Sequence, residues 1–385
     1  MKGLVLDAKW DPKPDYVVSD WEKQTGKAIT GSSIWRNPKL QVMERPMPKI
    51  TQPDEVLLEV KACGVCGSDI HFYETDKDGY MYYPGLTKFP AITGHEFSAK
   101  VVEAGKEVKN VKVGDPVTVE EMIWCGYCTP CRNGFPNHCA NLEEIGFTID
   151  GAFAQYIVVG SKYCWKVDGI LQRFGEEVGY DVAALCEPTC VSYNAMFSRA
   201  GGFKPGAFVC VFGAGPIGLA AIGLAEAAGA GKIVTFEVSP QRREIAKKIG
   251  ADEAYDPRQV KIHQVLNDLS KGEGFDFFVE AAGVPELVLS EAEKALAINA
   301  KVVQIGRAAR RVPMYLESFQ VRRSQFYGAQ GHSGDANFPS VIRLVAGGRL
   351  NLLPIITSRY GLDQVVTAIA QSGERRDGKI MVHPN

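Results

Sequence analysis

Near the middle of this 385-residue chain, Val209-Cys210-Val211-Phe212-Gly213-Ala214-Gly215-Pro216-Ile217-Gly218 carries an apolar run into G-x-G-x-x-G and then a helix pattern. No other feature restricts the fold as much. Gly213 permits a tight turn, Gly215 lets a pyrophosphate approach the backbone, and Gly218 lets helix and strand pack closely. Pro216 and Ile217 open the helix, whose unpaired N–H groups face the phosphates. Glu237 ends the next strand, 19 residues after Gly218. A carboxylate there accepts hydrogen bonds from ribose hydroxyls and repels a 2′-phosphate. The expectation is a dinucleotide site that takes NAD. Arg242 is a candidate contact, and Arg242 with Arg243 leaves NADP as the weaker alternative.

The surrounding texture agrees. Ile233–Val238, Phe275–Glu280 and Lys301–Ile305 read as strands, alternating with helices at Pro240–Ile249 and Leu287–Leu296. Such alternation implies a doubly wound parallel sheet. Residues before 188 read instead as rich in short strands, including 54–62 and 99–103, with a turn-then-strand pattern at 111–117, and residues 11–38 read as an irregular insert or excursion. The tail Lys379-Ile380-Met381-Val382 is a candidate to return to the first domain. Domains average about 150 residues, so two are expected.

Composition excludes several partners. Lys plus Arg number 43 and Asp plus Glu 45, for a net charge of −2. That balance offers no global attraction to nucleic acid or to an anionic membrane. The uncharged stretch 207–225 is broken by four Gly and Pro216, so it reads as strand, turn and helix, not as a membrane span. No signal-peptide pattern opens the sequence, and a cytoplasmic protein is expected. In such a compartment clustered thiols serve as metal ligands more often than as disulfides.

Ten Cys are present, four of them at Cys125, Cys128, Cys131 and Cys139. Four thiolates within 15 residues, separated by Gly and Pro bends, suit a closed structural zinc site. A DNA-binding zinc module would separate two ligand pairs by about 12–20 residues and carry more positive charge. A second, mixed set is spread more widely. Cys66, in Cys63-Gly64-Val65-Cys66-Gly67-Ser68-Asp69-Ile70-His71, is joined by Gly94-His95-Glu96 and Glu187-Pro188. Cys, His and carboxylate together suit an open catalytic zinc.

In these motifs and their order the chain resembles the zinc-dependent medium-chain dehydrogenases, in the sorbitol and threonine dehydrogenase branch. Residues 63–71, 120–139, 150–153 and 330–334 are similar to bacterial scyllo-inosose and cyclitol dehydrogenases. The resemblance implies an α/β chain: a GroES-like β-rich catalytic domain of residues 1–188 and 343–385, with its zinc lobe at about 120–142, and a Rossmann domain of residues 189–342. It implies a zinc-dependent oxidoreductase that moves hydride between NAD and a secondary alcohol of a small polyhydroxylated substrate. Two zinc ions per chain and a homodimer or homotetramer are also implied.

By the same resemblance, Cys66 and His95 bind the catalytic zinc, Glu96 and Glu187 compete for the third place, Ser68 takes the hydroxyl proton and His71 hands it to solvent. Ala99 stands where the family usually has Gly. Threonine 3-dehydrogenation is the alternative activity, and a non-catalytic NAD-binding redox sensor is the alternative class. Tyr73, Tyr80, Tyr82 and Tyr83 are open to either a substrate or a packing role.

Overall fold

A computed structural model describes residues 1–308 and 310–385. The chain forms two compact units. One comprises Met1–Glu187, Ser358–Glu374 and Lys379–Asn385, the other Pro188–Thr357 and Arg375–Gly378. The chain leaves the second unit at Thr357, not at the expected 342. The helix Asn337–Ala346 buries Phe338, Val341 and Val345, Asn337 accepts a hydrogen bond from Ser198 at 2.6 Å, and Leu350 reaches Gly223 on the Pro216–Ala227 helix. These contacts keep residues 343–357 on the second unit.

The second unit is built on a six-stranded parallel sheet. Its order is Glu253–Tyr255, Lys232–Phe236, Phe208–Phe212, Phe275–Glu280, Leu296–Gln304, Gln325–Gly328. This is the doubly wound order in which the first strand lies beside the switch point, where ligands bind at the carboxyl ends of strands. Apolar residues on the central strands explain their burial on both faces: Val209, Cys210, Val211, Phe277, Phe278 and Val279 are fully buried. Ser239 caps the Pro240–Lys248 helix, accepting from the Arg242 amide. The strand read at 301–305 in fact spans Leu296–Gln304, and the helix before it stops at Ala292.

In the first unit, one sheet carries the order Cys164–Lys166, Pro116–Val119, Glu96–Ala104, Glu55–Gly64, Lys379–His383, Ile356–Gly361, and Tyr156–Gly160 also pairs with Glu55–Gly64. Val56, Leu58 and Val60 alternate into its core with Phe97, Ala99, Val117, Val119 and Phe153. Ala99 is fully buried opposite Val60 and Val117, so its methyl fills core space. The turn-then-strand reading of 111–117 holds, with a turn at 113–114 followed by the strand Pro116–Val119. The register places Gly64 opposite Glu96 on one side and Met381 on the other.

Residues 11–38 are only partly irregular: 11–19 and 26–30 lie outside helix and strand, but the rest is regular. They hold helices Asp20–Thr25 and Gly31–Ile34 and the start of the strand Trp35–Glu44. Ser19 and Glu22 form a reciprocal capping box, and Gly26 closes the helix at φ 66°. Glu22 is buried and also accepts from Tyr16 Oη and the Ile29 amide, both at 2.9 Å. Trp35 sits in a second core with Phe72, Tyr83, Phe89 and Phe147. Its ring meets Trp10 and Phe89 edge-on, each at 5.2 Å, and its Nε1 donates to Thr87 at 3.0 Å. Burying such a side chain contributes about 1.5–3 kcal/mol.

Candidate active site and metal centres

The strand Glu55–Gly64 ends at the site, and the chain turns into the helix Gly67–Tyr73. Cys66 is the residue before that helix, in extended conformation, and its amide donates to Asp69 Oδ2 at 2.8 Å. Gly94, at φ 89°, sets His95 and Glu96 at the head of the neighbouring strand. A β-carbon on Gly94 would strike Phe153 at 2.7 Å, so glycine is required there. Donor atoms of Cys66, His95 and Glu96 all lie within 4.8 Å of one another. Glu187 does not join that set. It lies with Glu121, one carboxylate oxygen of each within 4.8 Å, close enough to act electrostatically on His95.

These residues fit a divalent cation. Burial opposes a charge on His95, yet Cys66, Asp69 and Glu187 outweigh it and hold its pKa well above the usual value. Burial likewise raises Asp69, to about 6, against the pull of His95. A buried pocket this negative attracts positive charge. Among the described residues, His95 Nδ1, Asp69 Oδ1 and Ser68 Oγ are buried with no hydrogen-bond partner, an expensive state that polar ligands relieve. Phe147 lays its ring on the His95 imidazole at 4.7 Å and is itself packed by Phe72 and Tyr83. Tyr80 and Tyr83 are buried, whereas Tyr73 and Tyr82 are exposed. His71 is partly exposed one turn after Ser68.

The lobe gathers its four sulfurs equally tightly. Cys125, Cys128, Cys131 and Cys139 place Sγ atoms within 4.8 Å of one another. All ten cysteines are free, so no disulfide competes. Backbone amides of Cys125 and Asn141 donate to Cys139 Sγ at 3.3 Å, and those of Cys128 and Ala140 donate to Cys125 and Cys128 Sγ at 3.4 Å. N–H donors stabilise thiolates over thiols. Despite partial burial, Asn141 and the Tyr127 and Cys128 amides bring Cys125 down to about 6. Four preorganised sulfur donors match tetrahedral zinc with no open position.

In the second unit, Gly213 has φ 87°, and a β-carbon on Gly218 would meet the Gly213 carbonyl at 1.9 Å. Among the described residues, a β-carbon on Gly215 would meet only Arg242 Nη1, at 3.8 Å, so that face of the turn has room. Pro216 and Ile217 open the helix. Glu237 Oε2 accepts from the Ala214 amide at 2.7 Å, and Oε1 from the Ser239 amide at 2.8 Å. Arg242 is buried and donates to the Asp377 carbonyl at 2.7 Å. Arg243 is engaged by the Glu237 and Val238 carbonyls.

A doubly wound dinucleotide sheet and a clustered Cys–His–Glu donor set on one chain define a dehydrogenase of the zinc-binding class. The chain belongs to that family: residues 52–169 match the alcohol dehydrogenase GroES-like domain and residues 216–347 the zinc-binding dehydrogenase domain. It is 44% identical over 375 residues to scyllo-inosose 3-dehydrogenase of Thermotoga maritima, across 95% of each chain. It is 34% identical over 343 residues to L-threonine 3-dehydrogenase of Pyrococcus horikoshii, across 89% of this chain and 94% of that one. A solved structure from Thermotoga maritima superposes at TM-score 0.96, with 42% identity and 99% of each chain covered. The protein is an oxidoreductase with a GroES-like and a Rossmann domain.

Three residues at the site carry little or no signal in the sequence. Asp69 lies inside the Cys63–His71 segment, where its type alone gives it no role. Phe147 carries no motif at all. Lys379 was visible only as a charge heading an apolar strand.

Proposed function

We propose that this enzyme oxidises a secondary alcohol of a polyol or cyclitol with NAD, or reduces the matching ketone. One zinc is held by Cys66, His95 and Glu96, and a second by Cys125, Cys128, Cys131 and Cys139. The observation that carries the reading is the Cys66–His95–Glu96 set, with His95 and Glu96 buried, beside a Ser68 hydroxyl that has no hydrogen-bond partner among the described residues. Glu96 takes the third place because its carboxylate lies with the other two donors, while Glu187 lies with Glu121.

When bound, zinc supplies Lewis-acid polarisation of a substrate oxygen and the nicotinamide carries hydride. Ser68 Oγ is placed to hold the substrate's hydroxyl proton. His71, one turn along the same helix and partly exposed, moves that proton to solvent. Asp69 fixes the Cys66 backbone. Phe147, packed on His95, keeps water from that face of the ligand.

NAD is favoured over NADP because Glu237 places a carboxylate by the glycine turn, where a 2′-phosphate would be repelled. Gly213, Gly215, Pro216, Ile217, Gly218 and Arg242 complete that reading. The substrate class is supported by the identity to the scyllo-inosose enzyme. A homo-oligomer fits the exposed Leu316, Val321 and Phe326 around the edge strand Gln325–Gly328. Among the described residues no helix is long and apolar enough to cross a membrane, in keeping with a cytoplasmic enzyme.

The test is an NAD-linked assay over inososes, linear polyols and L-threonine. Turnover of inososes or polyols above threonine supports the reading. Good threonine turnover with no cyclitol or polyol activity replaces it with amino-alcohol oxidation.

A further inference from the structure

Lys379 is fully buried, and its side chain has 0% exposure. Its Nζ forms an ion pair with Glu96 Oε2 and donates to the Val65 carbonyl at 3.1 Å. Val65 is bonded to Cys66, and Glu96 to His95. One ammonium group therefore touches both segments that carry the candidate metal donors. The sheet fixes it there: the Val65 amide donates to the Ile380 carbonyl at 2.9 Å, and Met381 stands opposite Gly64. Gly64 makes room for the pair. A β-carbon at that position would meet Glu96 Oε2 at 2.6 Å and Lys379 Cδ at 3.2 Å.

A buried lysine is costly to desolvate, and such groups persist when an opposite charge compensates them. Core packing alone would be served better by an apolar side chain. The compensating charge here is the Glu96 carboxylate, with which Lys379 forms a fully buried ion pair. A carboxylate with one oxygen committed to an ammonium group has a single oxygen, Oε1, left for a metal. The second oxygen and part of the negative charge are withheld.

We propose that Lys379 is a positioning residue that makes Glu96 a one-oxygen metal ligand and preserves the Lewis acidity of the ion. This rests on the zinc reading of Cys66, His95 and Glu96. Without Lys379, Glu96 turns both oxygens to the ion, whose charge is then quenched. Partners that orient a ligating group are worth about 10–100-fold in activity or metal affinity.

The experiment compares the parent enzyme with Lys379→Met and Lys379→Arg, each loaded with cobalt(II) in place of zinc. The readouts are the visible absorption spectrum and, for the zinc forms, kcat and KM. The expected result is an altered cobalt spectrum and about a 10–100-fold fall in kcat for Lys379→Met, with KM nearly unchanged and substantial rescue in Lys379→Arg. A parental spectrum and parental kcat in Lys379→Met would overturn the proposal. Should Lys379→Met not fold, Gly64→Ala carries the same test, because its methyl displaces Glu96 with the lysine still present. There too a shifted spectrum supports the proposal and a parental one overturns it. A parent enzyme that takes up no cobalt outside the four-cysteine lobe refutes the underlying zinc reading instead.

Discussion

The Glu237 carboxylate reaches back across the sheet edge to accept the Ala214 amide at 2.7 Å. It thereby braces the glycine turn that begins at Gly213, and its charge sits where the adenosine ribose is expected. Replacing it with Ala removes both the brace and the repulsion of a 2′-phosphate. Glu237→Ala should lower kcat/KM for NAD by at least about tenfold, or ~1.4 kcal/mol, and narrow the gap between NAD and NADP. Steady-state kinetics with both cofactors checks this. An unchanged NAD-to-NADP ratio contradicts it.

Cys66→Ala removes one donor from an open three-donor set. The variant should keep its fold, hold one zinc per chain in place of two, and lose turnover. Metal analysis by mass spectrometry, beside circular dichroism, decides the matter. Loss of activity with both metals retained would reassign Cys66.

Cys128→Ser acts on stability, because binding free energy at a structural metal is folding free energy. The four sulfurs lie in a lobe of short elements in which Tyr127 and Phe135 are exposed. The variant should melt several degrees lower and unfold with chelator at lower concentration than the parent. A melting curve equal to the parent's would show that the lobe needs no metal.

Acid should weaken one surface of the second unit in a defined window. Glu291 is partly buried, which opposes its charge, but Lys294 and His263 outweigh this and lower its pKa from 4.5 to about 2. A carboxylate whose folded pKa is depressed contributes stability above its unfolded pKa, and the contribution fades as pH falls toward the folded value. The melting temperature of the parent should exceed that of Glu291→Gln near neutrality. The gap should narrow as pH falls below about 4.5. A gap independent of pH rules the ion pair out as its source.

What could be read in the sequence was local. The turn at Gly213–Gly218 and the four-cysteine lobe each fit within 15 residues, so spacing alone carries their chemistry. The capping box of Ser19 and Glu22 is equally local, and it is the signal that marks the helix Asp20–Thr25 within residues 11–38. Lys379 and Glu96 are 283 residues apart, and only the pairing of Lys379–His383 with Glu55–Gly64 brings them together. Phe147 reaches His95 through packing with Phe72 and Tyr83, which has no periodicity to reveal it. The third ligand position was open in sequence because Glu96 and Glu187 both fit the motif. We assign the place to Glu96, because its carboxylate lies with the Cys66 and His95 donors while Glu187 lies with Glu121.

The most direct test of the account is NADH formation from an inosose or a related cyclitol by the zinc-loaded parent and by Cys66→Ala, measured side by side. The account predicts turnover by the parent, its loss on removal of zinc, and none above background in the variant. Undiminished turnover by Cys66→Ala, or a zinc-loaded parent that turns over no cyclitol or polyol, would contradict it.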